Sequence, residues 1–97
     1  MALLTESEIA GQLETLKDWT SEGNALTKVF VFAGFPEAVA FVGRLVTEAE
    51  SADHHPDIAI NYRRVTLRWT THNEGGITLK DVDGARMAER HARQPAG

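Results

Sequence analysis

The sequence predicts an α+β fold of two layers, a four-stranded antiparallel sheet with three helices on one face, in the order α-β-β-α-β-β-α. Three observations carry it. Two segments open on helix-capping signatures and continue with apolar residues three and four apart. Two others alternate along their length around short polar clusters, as half-buried strands do. Between them lies a long apolar-rich stretch that starts at a proline.

In chain order, Thr5-Glu6-Ser7-Glu8 reads as a capping box, and Ile9, Leu13 and Leu16 mark one face of a helix from about Glu6 to Leu16. Trp19-Thr20 leads into the turn cluster Ser21-Glu22-Gly23-Asn24. Leu26, Lys28, Phe30 and Phe32 then alternate with Thr27, Val29 and Val31, giving a hairpin whose second strand is expected to be covered on both faces. Gly34-Phe35-Pro36-Glu37 stops that strand and starts the main core helix. Its apolar stripe, Val39, Val42, Val46 and Ala49 with Phe41 and Leu45 beside them, runs to about Ala52.

Ile58, Ile60 and Tyr62, then Val65, Leu67 and Trp69, predict a second hairpin with Arg63-Arg64 at its tip. With that two-residue turn, opposed residues have numbers that sum to 127, so all six share one sheet face and His55 falls opposite His72. Asn73-Glu74-Gly75-Gly76 is expected to be a flexible connection. Thr78 and Asp81 form a second cap signature, opening a helix from about Leu79 to Arg93 with Val82, Ala85 and Ala88 inward. Residues 1–97 are read as one domain, with 94–97 a frayed tail.

Composition narrows the function classes. Ten Lys and Arg against fourteen Asp and Glu give a net charge of −4, and only Arg63-Arg64 are adjacent basic residues, so neither nucleic acid nor an anionic membrane is an expected partner. There is no cysteine, hence no disulfide, thiol nucleophile or cysteine-held zinc. No apolar run approaches the ~20 residues of a membrane span, and the N-terminus lacks a targeting pattern, so a cytoplasmic protein is expected.

The chemistry concentrates in Glu50-Ser51-Ala52-Asp53-His54-His55-Pro56, with His72 and Asp81 downstream. Imidazoles exchange protons near neutral pH, and the proline fixes the chain beside them. Taken alone, a His-His pair is more often an exposed loop pair, and Asp81 could serve only as a helix cap. Asp53, His54, His55 and His72 are also acceptable metal ligands, but adjacent histidines on an extended segment point to opposite faces, which disfavours one shared ion. Trp19, Trp69 and Tyr62 could stack on a flat ligand, although aromatic residues at strand positions are more often core; Trp69 is read as core.

A glutamate, three residues, His-His-Pro, five residues, an aromatic residue, nine residues, His, eight residues and Asp follow one another without insertion as Glu50, His54-His55-Pro56, Tyr62, His72 and Asp81. In this the chain resembles the pterin-4a-carbinolamine dehydratase family, over most of its length. Thr70-Thr71-His72 and Gly75-Gly76-Ile77-Thr78 are similar to the family's later block. One departure is Ile58, where animal members carry an aromatic residue, which bears on the shape of the pterin pocket.

The resemblance implies a dehydratase that converts 4a-hydroxytetrahydropterin to quinonoid dihydropterin without a metal or cofactor, recycling tetrahydrobiopterin for aromatic amino acid hydroxylases. It places catalytic roles on His54, His55, His72 and Asp81, and substrate contacts on Glu50, Asp53 and Pro56, with Glu50 an accessory acid. His54 and His72 would carry the acid and base roles, His55 would orient substrate, and Asp81 would fix one imidazole's tautomer. It further implies a homodimer or homotetramer, in keeping with a sheet face and edges left uncovered by a two-layer domain. The alternative is a non-enzymatic dimerisation or assembly cofactor, a role that other members of the family fill on the same fold.

Overall fold

The computed structural model describes residues 2–93, so the expected frayed tail at 94–97 lies outside the described residues. The elements are α1 (Glu6–Leu13), β1 (Thr20–Glu22), β2 (Ala25–Val31), α2 (Phe35–Ala52), β3 (Asp57–Asn61), β4 (Arg64–Trp69), a short 3₁₀ turn (His72–Glu74) and α3 (Leu79–Ala92). The four strands form one antiparallel sheet in the order β1-β2-β4-β3.

Local chemistry explains the starts of the helices. Thr5 accepts from the Glu8 amide while the Glu8 carboxylate takes the Thr5 amide, and Thr78 with Asp81 opens α3 by the same reciprocal capping. Pro36 sits in the first turn of α2, where its missing N–H leaves no partner wanting. Helix α1 stops at Leu13, three residues short of the expected end. Glu14, Thr15 and Leu16 instead bond three residues back, a tighter turn that swings Leu16 and Trp19 into the core.

The core lies between one sheet face and the helices. Leu26, Phe30, Val65, Leu67 and Trp69 meet Ala38, Phe41, Leu45 and Ala49 of α2 and Val82, Ala85 and Ala88 of α3, all buried. Two expectations change here. The buried row of α2 is the Ala38-Phe41-Leu45-Ala49 stripe, whereas Val39 and Val46 point away from the core and stay about 45% exposed. Strand β2 is covered on one face only: Val29 and Val31 lie on the open side of the sheet, 48% and 60% exposed. A single helical layer cannot reach both faces of a sheet.

The second hairpin is also re-registered. Ile58 pairs with Leu67, Ile60 with Val65 and Asn61 with Arg64, so numbers sum to 125 and the turn is Tyr62-Arg63 rather than Arg63-Arg64. Tyr62 adopts the left-handed conformation this turn requires (φ 57°) and stands exposed, outside the face it was expected to share. Ile58 therefore faces Leu67 rather than Trp69, and continuing the ladder would set His55 opposite Thr70 rather than His72. The 73–76 connection is built around the 3₁₀ turn: Thr71 and Gly76 form an isolated bridge across it, and Gly75 closes it at φ 77°.

Candidate active site

Three structural devices deliver the site residues. Asp53 ends α2 in the left-handed conformation (φ 52°), with its amide and that of His54 both returning to the last turn of the helix. This is a Schellman-type closure, and it, rather than Pro56, breaks the helix and reverses the chain. His54 is thereby turned inward and His55 outward. The end of β4 supplies Thr70 and Thr71, the 3₁₀ turn supplies His72, and the first turn of α3 supplies Asp81.

Asp81 is wholly buried and fully used. Its Oδ2 accepts from the Thr78 amide at 2.9 Å and from the Thr71 hydroxyl at 2.8 Å, and its Oδ1 lies 2.6 Å from His54 Nε2. Thr71 and Thr78 hydroxyls are themselves 2.8 Å apart. A carboxylate only accepts, so Nε2 carries the proton of this bond, and in the neutral imidazole Nδ1 is the nitrogen with the lone pair. Trp69 stacks on the same imidazole, ring centroids 5.5 Å apart and planes inclined by 26°. Gly84 makes room for the indole: a Cβ there would lie 2.6 Å from the Trp69 ring.

His55 forms a second pair, Nε2 to Glu50 Oε2 at 2.5 Å, with both side chains more than half exposed. Asp53, His54, His55, Pro56 and His72 all line one open cavity of about 370 Å³, with Thr70, Thr71 and Lys80 across from them. His54, His55 and His72 are thus brought to one cavity. The cross-strand pairing expected for His55 and His72 is not what does it, since both lie beyond the ends of the ladder. Glu50 reaches this group through His55, and Asp81 stands behind it through His54.

A larger cavity of about 460 Å³ lies on the other side of His54, between α2 and α3. His54 and Lys80 line both cavities. At its far end Arg90 and His91 hydrogen-bond Glu48, and Arg90 foremost holds that carboxyl below its ordinary range. Among the described residues no three His, Asp or Glu side chains are grouped to hold a metal ion. No helix among them is long and apolar enough to cross a membrane.

Sequence reasoning did not find the Thr71–Asp81–His54 chain of bonds, Trp69 as the face of His54, or Lys80. Thr71 lies in the Thr70-Thr71-His72 segment with no sequence signal of its own role, and Trp69 is core, as expected, which hides its second role. Lys80 gave no signal beyond its place next to Asp81.

Residues 2–91 match the family described as Pterin 4 alpha carbinolamine dehydratase. The chain belongs to the pterin 4 alpha carbinolamine dehydratase family. A relative from Roseiflexus castenholzii is 49% identical over 88 residues, covering 91% of this chain and 95% of its own. One from Trichormus variabilis is 51% identical over 83 residues, 86% and 89% of the two chains. Both carry the name pterin-4-alpha-carbinolamine dehydratase provisionally. Among solved structures, a transcriptional coactivator/pterin dehydratase from Brucella melitensis superposes with a TM-score of 0.90 at 36% identity, covering 93% of this chain and 98% of its own. A pterin dehydratase-like RuBisCO assembly factor of the alpha-carboxysome shares the fold at a TM-score of 0.66 and 18% identity, covering 79% of this chain and 89% of its own.

Proposed function

We propose that this protein dehydrates 4a-hydroxytetrahydropterins to quinonoid dihydropterins by histidine acid–base catalysis, without a metal or further cofactor. The observation that carries this reading is the buried Asp81–His54 pair opening onto a cavity lined by two more imidazoles. In the reaction the C4a–O bond breaks and the hydroxyl leaves as water after gaining a proton. N5 loses its proton, and the freed electron pair forms the C4a=N5 bond, so atoms and charge balance. One base and one acid suffice, each contributing on the order of 10²–10⁴-fold.

His54 is the base, because Asp81 fixes the tautomer that leaves Nδ1 free to accept the N5 proton. His72 is the acid for the departing hydroxyl. His55, steadied by Glu50, orients the pterin, and Asp53 and Pro56 shape the mouth beside it. The product would return to an aromatic amino acid hydroxylase cycle in the cytoplasm. The exposed Val29 and Val31 of the open sheet face support assembly into a homodimer or homotetramer, since burying such apolar area is favourable.

The test is the absorbance change on dehydration of a 4a-hydroxytetrahydropterin generated in situ, for the wild type and for His54→Ala and His72→Ala. Each variant is expected to lose about 10²-fold or more in kcat. Full activity in both variants would overturn the assignment, and an inactive wild type would leave the non-enzymatic assembly role as the reading of the fold.

A further inference from the structure

Beside the imidazole cavity lies the second, larger one, and its chemistry differs. Its floor is apolar, with Ala52, Trp69 and Met87 contributing, and the wholly buried Trp69 leaves its indole N–H without an acceptor among the described residues. Its rim is charged. Glu48 is spent on Arg90 and His91. Arg86 bonds to the neutral Gln12 Oε1 and Thr15 Oγ1, at 2.9 and 3.0 Å, and makes no ion pair among the described residues. Lys80 makes no ion pair among the described residues, and neither does Asp83. The rim therefore sums to +1 from Lys80, Arg86 and Arg90 against Glu48 and Asp83, in a chain whose net charge is −4.

The position of this basin relative to the chemistry gives it a use. C6 of a pterin is bonded to N5, so when N5 is presented to the imidazoles the C6 substituent leaves the ring at the edge they hold. The two cavities meet at His54 and Lys80, which places the basin where that substituent can go. We propose that the basin between α2 and α3 is the substituent subsite, and that it selects pterins whose C6 tail ends in an anionic group, carboxylate or phosphate, received by Lys80 and Arg86. This rests on the dehydratase reading and adds the substrate class to it. The apolar floor covers the connecting carbons. Lys80, on the ridge between the cavities, fixes the direction the tail takes.

The experiment uses the full chain and three 4a-hydroxytetrahydropterins that differ only at the end of the C6 tail: a carboxylate, its neutral carboxamide, and a phosphate ester. At low salt kcat/KM for the carboxylate is expected to exceed that for the carboxamide by about fivefold, in line with exposed charge pairs. The ratio should shrink toward one as salt shortens the reach of the charges. Lys80→Glu, which suits the first turn of a helix and so spares the fold, should invert the ratio, and Arg86→Gln should lower it. Comparison of the carboxylate with the phosphate shows which anion the rim prefers. Equal kcat/KM for acid and amide in the wild type, or a ratio unmoved by Lys80→Glu, would overturn the proposal. If no substrate turns over, the dehydratase reading fails by itself. Fluorescence titration with the stable oxidised acid and amide then still decides: tighter binding of the acid supports an anion-selective basin, and equal binding overturns it.

Discussion

His54 and His55 are neighbours in sequence, and each meets a carboxylate at almost the same distance, 2.6 Å for His54–Asp81 and 2.5 Å for His55–Glu50. Their surroundings are opposite. Asp81 is wholly buried and bonded at both oxygens, whereas Glu50 is 71% exposed and His55 53%. Distance alone says nothing about what a pair is worth: water screens one and protein replaces water around the other. The Schellman-type turn at Asp53 makes this division, sending one imidazole toward the core and its neighbour toward solvent.

The largest expected effect breaks the buried side of the comparison. Asp81→Ala removes the acceptor for His54, Thr71 and the α3 start together. It should destabilise the fold by about 3–5 kcal/mol in urea denaturation, as removal of one partner from a buried pair does. Refolded protein should also lose most of its kcat/KM. A cost no greater than that of Glu50→Gln would mean that burial does not distinguish the pairs.

Next comes the indole that backs His54. Gly84→Ala places a methyl 2.6 Å from the Trp69 ring, and because Trp69 is ring rather than flexible chain, the helix or the indole must shift. The expected loss is about 1–3 kcal/mol despite the better helix propensity of alanine. Thermal melting reads the stability, and a fall in kcat would report that the His54 stack moved with it.

Glu50→Gln tests the exposed side. Stability should change by less than about 1 kcal/mol, and activity should move through KM more than kcat if, as proposed, this exposed pair orients substrate.

The smallest effect concerns the half-buried Glu48, a third carboxylate beside an imidazole. Arg90 above all, then His91, lowers its pKa from the ordinary 4.5. A carboxyl depressed in the folded state adds stability that is fully present above its unfolded pKa and is lost as pH falls through the lower folded value. Below about pH 4.5, Glu48→Gln should therefore flatten the acid limb of stability slightly. Coincident limbs for variant and wild type would show that the pair adds nothing measurable.

How far the sequence spoke depended on the kind of signal. Capping boxes at Thr5 and Thr78 are local and chemically specific, and both stand as read. Whereas β1 takes in Ser21 and Glu22, which were expected in a turn, strands β2, β3 and β4 were legible from alternation. The phase of α2 was not, because Val39 and Val46 are as apolar as Phe41 and Leu45, and only a neighbouring face can choose between them. The register of the second hairpin was missed for a related reason: Tyr62 carries no turn signature, yet its backbone takes the left-handed position. At the site, the residues that gather at one cavity were legible as a motif. Which imidazole Asp81 would meet was not, since that depends on the left-handed turn at Asp53, a conformation aspartate tolerates better than most residues but does not by itself specify.

The Asp81 bond also sets an order of events during synthesis. A ribosome delivers His54 and His55 well before residue 81, and a chain paused between them has both imidazoles and no carboxylate to organise the inner one. The His54–Asp81 bond can arise only once α3 has started and docked. A chain that lacks α3 therefore lacks the buried pair.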